Sequence, residues 1–177
     1  MPCNCKKTMT AFIQDNIDSV DWGPILWKYL HCLSENIGIS GNSIVDTDQA
    51  NYMETLITTL HLILPCKECQ GHTASYIALT PFHVKGMHGD TLRNTVRGWL
   101  FMFHNHVRTI KGQPIEINTL EEYSAIYRGN VISKSEYAFI VQSVASAVRQ
   151  GFVRIDHWRK WYSNSERLRI ISGNVVI

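Results

Sequence analysis

The chain has 177 residues and a formal net charge of +2, with 45% hydrophobic and 18% charged residues. This composition suits one compact domain with an ample hydrophobic core. Glycine (11) and proline (5) are scarce, which excludes collagen-like, low-complexity and wholly disordered chains. The small charge argues against a nucleic-acid partner. No run of about twenty apolar residues occurs, so neither a membrane-spanning helix nor a membrane partner is expected.

The cysteines give the first functional signal. No apolar run follows Lys6 and Lys7 along the chain, so no secretory signal is predicted. We therefore expect a cytoplasmic protein, or one carried in a virion assembled in the cytoplasm. Inside a cell, a C-x-x-C pair is more often redox-active or metal-binding than a structural crosslink. The five cysteines are Cys3, Cys5, Cys32, Cys66 and Cys69.

Helical patterns dominate the chain, and we predict an all-α fold. Four helices with short connections in about 95 residues predict a four-helix bundle. Proline, glycine and capping residues mark the ends of these helices. The predicted helices start at Pro24, at Thr47 or Asp48, at Cys66 and at Asp90, and they end near Ile37, Pro65, Ala78 and Lys111.

Two capping boxes follow, at residues 119–122 and 133–136. They predict a short fifth helix to about Arg128 and a further helix that is closed by Gly151. Beyond it lies an aromatic cluster, which we expect to pack against the protein's own core. We therefore divide the chain into an N-terminal arm (1–20), a core domain (21–128) and a C-terminal helical extension (129–177). The cluster comprises Trp158, Trp161 and Tyr162.

The sharpest motif is Cys66-x-x-Cys69 at the start of the third predicted helix. Both sulfurs lie within bonding reach in one turn, and the exposed N–H groups of a helix start stabilise a thiolate. On its own the motif fits disulfide exchange and metal binding equally well. In the metal alternative, His72 and the pair Cys3 and Cys5 would complete a zinc site. The protein would then be a zinc-stapled helical interaction module without redox turnover.

Two aromatic and histidine-rich segments accompany this motif. Trp27 and His31 are four residues apart and share one helix face. His104, Arg108 and Lys111 line one stripe of another helix with an imidazole, a guanidinium and an ammonium group. Such a stripe can meet a ring system and a diphosphate, and the chain has no G-x-G-x-x-G loop. Each aromatic residue taken singly also fits an ordinary core position.

Together these motifs resemble the Erv/ALR family of FAD-linked sulfhydryl oxidases, in particular the members encoded by large DNA viruses. The resemblance covers about residues 21–125, with the elements in the family's order. They are Gly-x-x-x-Trp-x-x-x-His (23, 27, 31), Pro-Cys-x-x-Cys (65–69), Trp (99), His-Asn-x-Val (104–107) and Leu-Glu-Glu-Tyr (120–123).

The resemblance implies a helical bundle that binds FAD, usually as a homodimer, and oxidises protein thiols. Cys66 would exchange with reduced protein thiols or with a thioredoxin-like dithiol carrier, and Cys69 would lie against the isoalloxazine as the charge-transfer thiolate. The electrons would pass to dioxygen and give hydrogen peroxide. Cys3 and Cys5 are the candidate shuttle dithiol. The implied cofactor-binding residues are Gly23, Trp27, His31, His72, Trp99, His104, Asn105, Val107, Arg108, Lys111 and Tyr123.

The chain also departs from the family pattern. Phe101 and Glu116 stand where many members have a structural disulfide, Met102 where many have a histidine, and Arg108 where they have asparagine. A further interpretation is therefore a flavin-binding scaffold that has lost turnover through the changes at 102 and 108. Cys32 has no assigned partner, and we predict a buried free thiol.

Overall fold

The computed structural model describes residues 19–173. Within this range all regular secondary structure is helical, and there is no strand. The all-α prediction is therefore confirmed. Residues 1–18 and 174–177 lie outside the described part. Seven α-helices and one 3₁₀ turn (Leu60–Leu62) make up this range: α1 Ser19–Asn36, α2 Ser43–Thr58, α3 Lys67–Leu79, α4 Gly89–Ile110, α5 Leu120–Tyr127, α6 Lys134–Arg149 and α7 Ile155–Ile171.

Local side-chain chemistry explains several of the helix starts. Thr119 and Ser133 each form a capping box, as predicted. The cap of α2 was predicted wrongly, because the side chain of Asn42 rather than Thr47 or Asp48 accepts the N–H of Ile44, at 2.9 Å. The N-cap of α2 consequently lies five or six residues earlier than the pattern indicated.

Two further starts differ from the sequence prediction. Pro24 is not the first residue of α1 but lies inside it, since the helix already includes Ser19. Proline has no N–H to donate to the carbonyl of the preceding turn. This loss is tolerated because Pro24 lies on the exposed face of α1. His88, not Asp90, occupies the N-cap of α4, and Asp90 lies in the first turn.

Helix α1 is central to the packing, because it contacts α4, α5 and α6, while α2 contacts α4 and α7. The buried side chains of α1 cover more than one face of the helix, which suits a helix surrounded by others. Its core residues include Leu26, Tyr29, Leu30 and Leu33, and Ile37 directly after the helix is also buried.

The C-terminal extension packs on the same hydrophobic core. Trp161 is completely buried and donates from Nε1 to the carbonyl of Leu56, at 3.2 Å. The hydroxyl of Tyr29 lies 2.6 Å from the hydroxyl of Ser165 on α7. The expected docking of the aromatic cluster onto the chain's own core is thus confirmed for Trp158 and Trp161, whereas Tyr162 is exposed. Helix α6 packs on α1, and α7 packs on α2. None of the helices between residues 19 and 173 has the length and apolar character that a bilayer crossing requires.

Candidate redox site

Cys66 and Cys69 form a disulfide at the start of α3, with their Cα atoms 5.2 Å apart. Pro65 ends the preceding turn, and Cys66 is the N-cap of α3. The backbone N–H of Cys69 donates to the sulfur of Cys66, at 3.1 Å. Both cysteines are half-buried. A disulfide that caps a helix in this way has a hydrogen-bond donor ready for a thiolate on Cys66.

An apolar cleft opens beside Cys69, between α1, α4 and the first turns of α3. Cys69 lines it, together with His72, whereas Cys66 is not among the lining residues. The walls are almost entirely apolar or aromatic, so the cleft suits a flat, hydrophobic ring system next to the disulfide. The other lining residues are Trp22, Gly23, Leu26, Trp27, Leu30, Leu60, Leu64, Thr73, Phe103, Val107, Ile110 and Lys111.

Trp27 divides this cleft from a second, more polar part. Its ring stacks on the imidazole of His104, with centroids 4.2 Å apart and planes 9° from parallel. Its edge meets Phe103, at 5.2 Å. The polar part shares Gly23, Trp27, Val107 and Lys111 with the apolar part and adds Pro24, His104, Arg108 and Gln113. The two parts are therefore adjacent and share walls along α1 and α4, and together they are called the groove.

A buried hydrogen-bonded chain lies behind the stacked rings. Nε2 of His31 is 2.8 Å from Nδ1 of His104, and Nδ1 of His31 is 2.6 Å from the hydroxyl of Tyr123. Burial, reinforced by His104, holds the pKa of His31 well below its usual range. Burial and the neighbouring Arg108 lower the pKa of His104 to about 4. Both imidazoles are therefore uncharged at neutral pH.

The polar end of the groove carries two cations in different settings. Arg108 forms an ion pair with Glu116, at 2.7 Å, and donates from Nε to the carbonyl of Pro114, at 2.6 Å. Lys111 is exposed and lines both parts of the groove. The Arg108–Glu116 pair also links the segment after α4 to that helix.

A buried ion pair fixes α5 beside this groove. Nε of Arg97 lies 2.7 Å from the carboxylate of Glu35, and the Glu35 side chain is 1% exposed. The hydroxyl of Ser124 on α5 donates to the same carboxylate, at 3.0 Å. Tyr123, the neighbour of Ser124, is thereby held over His31.

The structure brings most of the predicted site residues together. Gly23, Trp27, His72, His104, Val107, Arg108 and Lys111 line the groove with Cys69, and His31 and Tyr123 lie directly behind it. Two others lie elsewhere. Trp99 is in the core and donates to the carbonyl of Thr80, at 3.0 Å, and Asn105 donates to the carbonyl of Ile117, at 3.2 Å. Cys3 and Cys5 lie outside the described residues.

Sequence reasoning missed several apolar residues that line the groove. Phe103 and Ile110 lie four residues before and three residues after the predicted Val107 on α4, and this spacing was the available signal for a common face. Leu60 and Leu64 line the same cleft as Cys69, and no sequence motif marked them as site residues.

The structure also locates Cys32 and bears on the zinc-site alternative. Cys32 is completely buried and unpaired, as predicted. Between residues 19 and 173 no cluster of three or more histidine, cysteine or acidic side chains is arranged to hold a metal ion. In this structure the sulfurs of Cys66 and Cys69, two of the five candidate zinc ligands of that alternative, are bonded to each other.

Comparison with known proteins identifies relatives of this chain. The family model described as Erv1 / Alr family matches residues 24–125. An FAD-linked sulfhydryl oxidase of African swine fever virus is 30% identical over 123 residues, which cover 66% of this chain and 87% of the viral protein. A putative FAD-linked sulfhydryl oxidase of Invertebrate iridescent virus 3 is 23% identical over 150 residues, covering 85% and 86%. No solved structure matches the chain.

Proposed function

The chain belongs to the Erv1/Alr family, and on this premise we propose that it is an FAD-linked thiol oxidase that makes disulfides in protein thiols and delivers the electrons to dioxygen, giving hydrogen peroxide. The observation that carries the proposal is the Cys66–Cys69 disulfide, which opens through Cys69 onto an apolar, aromatic groove. A disulfide used only as a crosslink has no need of such a groove.

The residues of the groove fit FAD. The apolar walls beside Cys69 suit the isoalloxazine, and the exposed ammonium of Lys111 with the guanidinium of Arg108 suits the pyrophosphate. The uncharged His31–His104 pair offers ring nitrogens that hydrogen-bond without introducing charge. Bound FAD would supply the two-electron chemistry that links a dithiol to dioxygen.

The chain's own sulfurs account for the exchange step. A substrate thiolate attacks Cys66, forms a mixed disulfide there and releases Cys69 as a thiolate into the groove. A second substrate thiol then loses its proton and attacks the substrate sulfur of the mixed disulfide, which frees Cys66. The substrate leaves as a disulfide, its two electrons remain on Cys66 and Cys69 as thiolates, and its two thiol protons pass to solvent. The hydrogen bond from the N–H of Cys69 stabilises negative charge on the Cys66 sulfur.

Substrate and assembly extend this proposal. Reduced protein thiols or a thioredoxin-like dithiol carrier are the proposed partners, with a homodimer as the working form. Because the relatives are encoded by viruses, we extend the proposal to action in the cytoplasm on the thiols of viral proteins. Cys3 and Cys5 are proposed as a shuttle between substrate and Cys66. Changing both to serine should slow turnover on a protein substrate and spare turnover on dithiothreitol, and equal rates on both substrates would contradict the shuttle.

The decisive experiment is the visible spectrum of the purified protein before and after anaerobic dithiothreitol. We expect flavin bands that bleach with the thiol and recover in air. A colourless protein with stoichiometric zinc would overturn the proposal in favour of the interaction module. A yellow protein that thiols do not bleach would leave a flavin-binding scaffold without oxidase activity.

A further inference from the structure

The turn between α6 and α7 belongs to the C-terminal extension, but it contacts the segment that carries the redox disulfide. The carbonyl of Phe152 in this turn accepts a hydrogen bond from Nε2 of Gln70, at 3.2 Å, and one from Nζ of Lys67, at 3.4 Å. Lys67 lies between the two cysteines in sequence, and Gln70 directly follows Cys69. The extension therefore contacts the segment that carries the chemistry.

The side-chain amide of Gln70 that makes this contact also binds the segment that precedes Cys66. Its Nε2 donates to the carbonyl of Leu64, at 2.8 Å, as well as to Phe152. A side-chain amide has two hydrogens, so both bonds can form together. The backbone N–H of Gln70 donates in addition to the carbonyl of Cys66, at 2.9 Å. Gln70 thus links the segment before Cys66, the first turn of α3 and the C-terminal extension.

The acceptor in the extension is itself held in place. The N–H groups of Phe152 and Val153 both donate to the carbonyl of Ala147, at 2.9 and 3.3 Å. Gly151 gives the turn its left-handed backbone, with a φ of +77°, and Val153 is buried in the core. The Phe152 carbonyl is therefore a fixed point rather than part of a loose loop.

We propose that Gln70 is a positioning residue for the Cys66–Cys69 pair, and that through it the turn at residues 150–153 tunes the reactivity of Cys66. The inference rests on the proposed oxidase function. By fixing residues 64–66, the bridge keeps the Cys66 sulfur against the N–H of Cys69, which lies 3.1 Å away. That hydrogen bond is stronger to a thiolate than to a disulfide sulfur, so the bridge favours the reduced pair.

The first test replaces Gln70 by methionine, a neutral residue of similar length that cannot donate. The holoprotein is equilibrated anaerobically with glutathione buffers, quenched with acid and alkylated, and the redox state of Cys66 and Cys69 is read by mass spectrometry. In Q70M we expect the equilibrium constant for reduction by glutathione, and the alkylation rate of reduced Cys66 at pH 7, to fall about threefold. Q142M, a change of an exposed glutamine on α6, is the matched control and should leave both unchanged.

The second test approaches the bridge from the extension. Gly151→Ala places a side chain at a φ of +77°, and Gly129→Ala does the same at +74° in the turn before α6. Neither added Cβ meets an atom within 4 Å, so the two variants carry matched backbone strain. Both should lower the thermal midpoint similarly, but only Gly151→Ala should move the two Cys66 readouts, in the same direction as Q70M.

Clear results would overturn the inference. If Q70M keeps the wild-type equilibrium constant and alkylation rate while losing stability, Gln70 is only a structural residue. If Gly151→Ala matches Gly129→Ala in the Cys66 readouts, the turn is not coupled to the disulfide. Both measurements follow the cysteines themselves, so they remain valid if the protein proves colourless. A failure of the oxidase proposal therefore stays distinguishable from a failure of this one.

Discussion

His31 and His104 share a hydrogen bond of 2.8 Å between Nε2 and Nδ1, although both imidazoles carry a lowered pKa. A neutral imidazole has one donor and one acceptor nitrogen. The hydrogen-bonded chain from His104 through His31 to the Tyr123 hydroxyl can therefore form with both imidazoles uncharged. Burial raises the pKa of Tyr123 well above its usual range, so the phenol also stays neutral. The floor of the groove is therefore polar but uncharged.

This arrangement makes stability depend on pH. The pKa of His104 falls to about 4 in the folded protein, below its ordinary value of 6.5. Between these values the unfolded chain binds a proton that the folded one does not, so stability is complete above pH 6.5 and is lost as the pH falls towards 4. We expect the thermal midpoint to drop between pH 7.5 and 5, and to drop about 3 °C less in His104→Gln.

His106→Gln is the control for this pH experiment. His106 lies two residues further along α4 and is exposed, so its removal should leave the pH dependence as in the wild type. His61, whose pKa is also lowered by burial, accounts for part of the remaining dependence. A His104→Gln profile parallel to the wild-type profile would contradict the assignment.

Lys111 should matter for the cofactor but not for folding. It is exposed at the junction of the two parts of the groove, where its ammonium can approach a pyrophosphate. We expect Lys111→Met to weaken FAD binding about fivefold in a fluorescence titration, with a smaller effect at high salt. The thermal midpoint without added FAD should not change. Lys160→Met, on the exposed face of α7, is the matched control, and equal FAD affinities for both variants would exclude Lys111 as a phosphate contact.

The sequence predicts the helices whose ends carry their own chemical signals. Thr119 and Ser133 cap with their own side chains, and Pro65 with Cys66 marks the start of α3. Helix α7 was not delimited because its N-cap, Arg154, makes no side-chain capping bond. The start of α1 was misplaced because Pro24 resembles a helix start and is tolerated inside the helix instead.

The site was predictable where one helix carries the pattern. Trp27 and His31 lie on one face because they are four residues apart, and the stripe 104–108–111 follows the same rule. Contacts between distant segments leave no such signal. The bridge from Gln70 to Phe152 joins residues 82 apart, and the hydrogen bond from Trp161 to Leu56 joins residues 105 apart. Only the packing of the helices brings these groups together.

The extension should unfold together with the core domain. Trp161 is completely buried against α2, so Trp161→Ala removes a large core side chain and its hydrogen bond to Leu56. We expect a loss of about 3–5 kcal/mol in the free energy of unfolding by urea, with a single transition. Tyr162→Ala, the neighbouring residue at 37% exposure, should cost under about 1 kcal/mol. Two separate transitions would show that the extension folds on its own, and similar losses for both variants would show that burial of Trp161 does not hold it to the core.

The two cysteines of the redox pair should differ in their access to solvent reagents. Cys69 lines the groove and Cys66 does not, so with Cys3 and Cys5 changed to serine, Cys69→Ser should react about tenfold faster with Ellman's reagent than Cys66→Ser. Burial raises the pKa of Cys32 to about 11, so this thiol should add only a slow phase, measured in the variant that lacks both Cys66 and Cys69. Equal rates, or a faster Cys66→Ser, would reverse the roles of the two sulfurs, because the attacked cysteine must be the one that a folded protein substrate can reach.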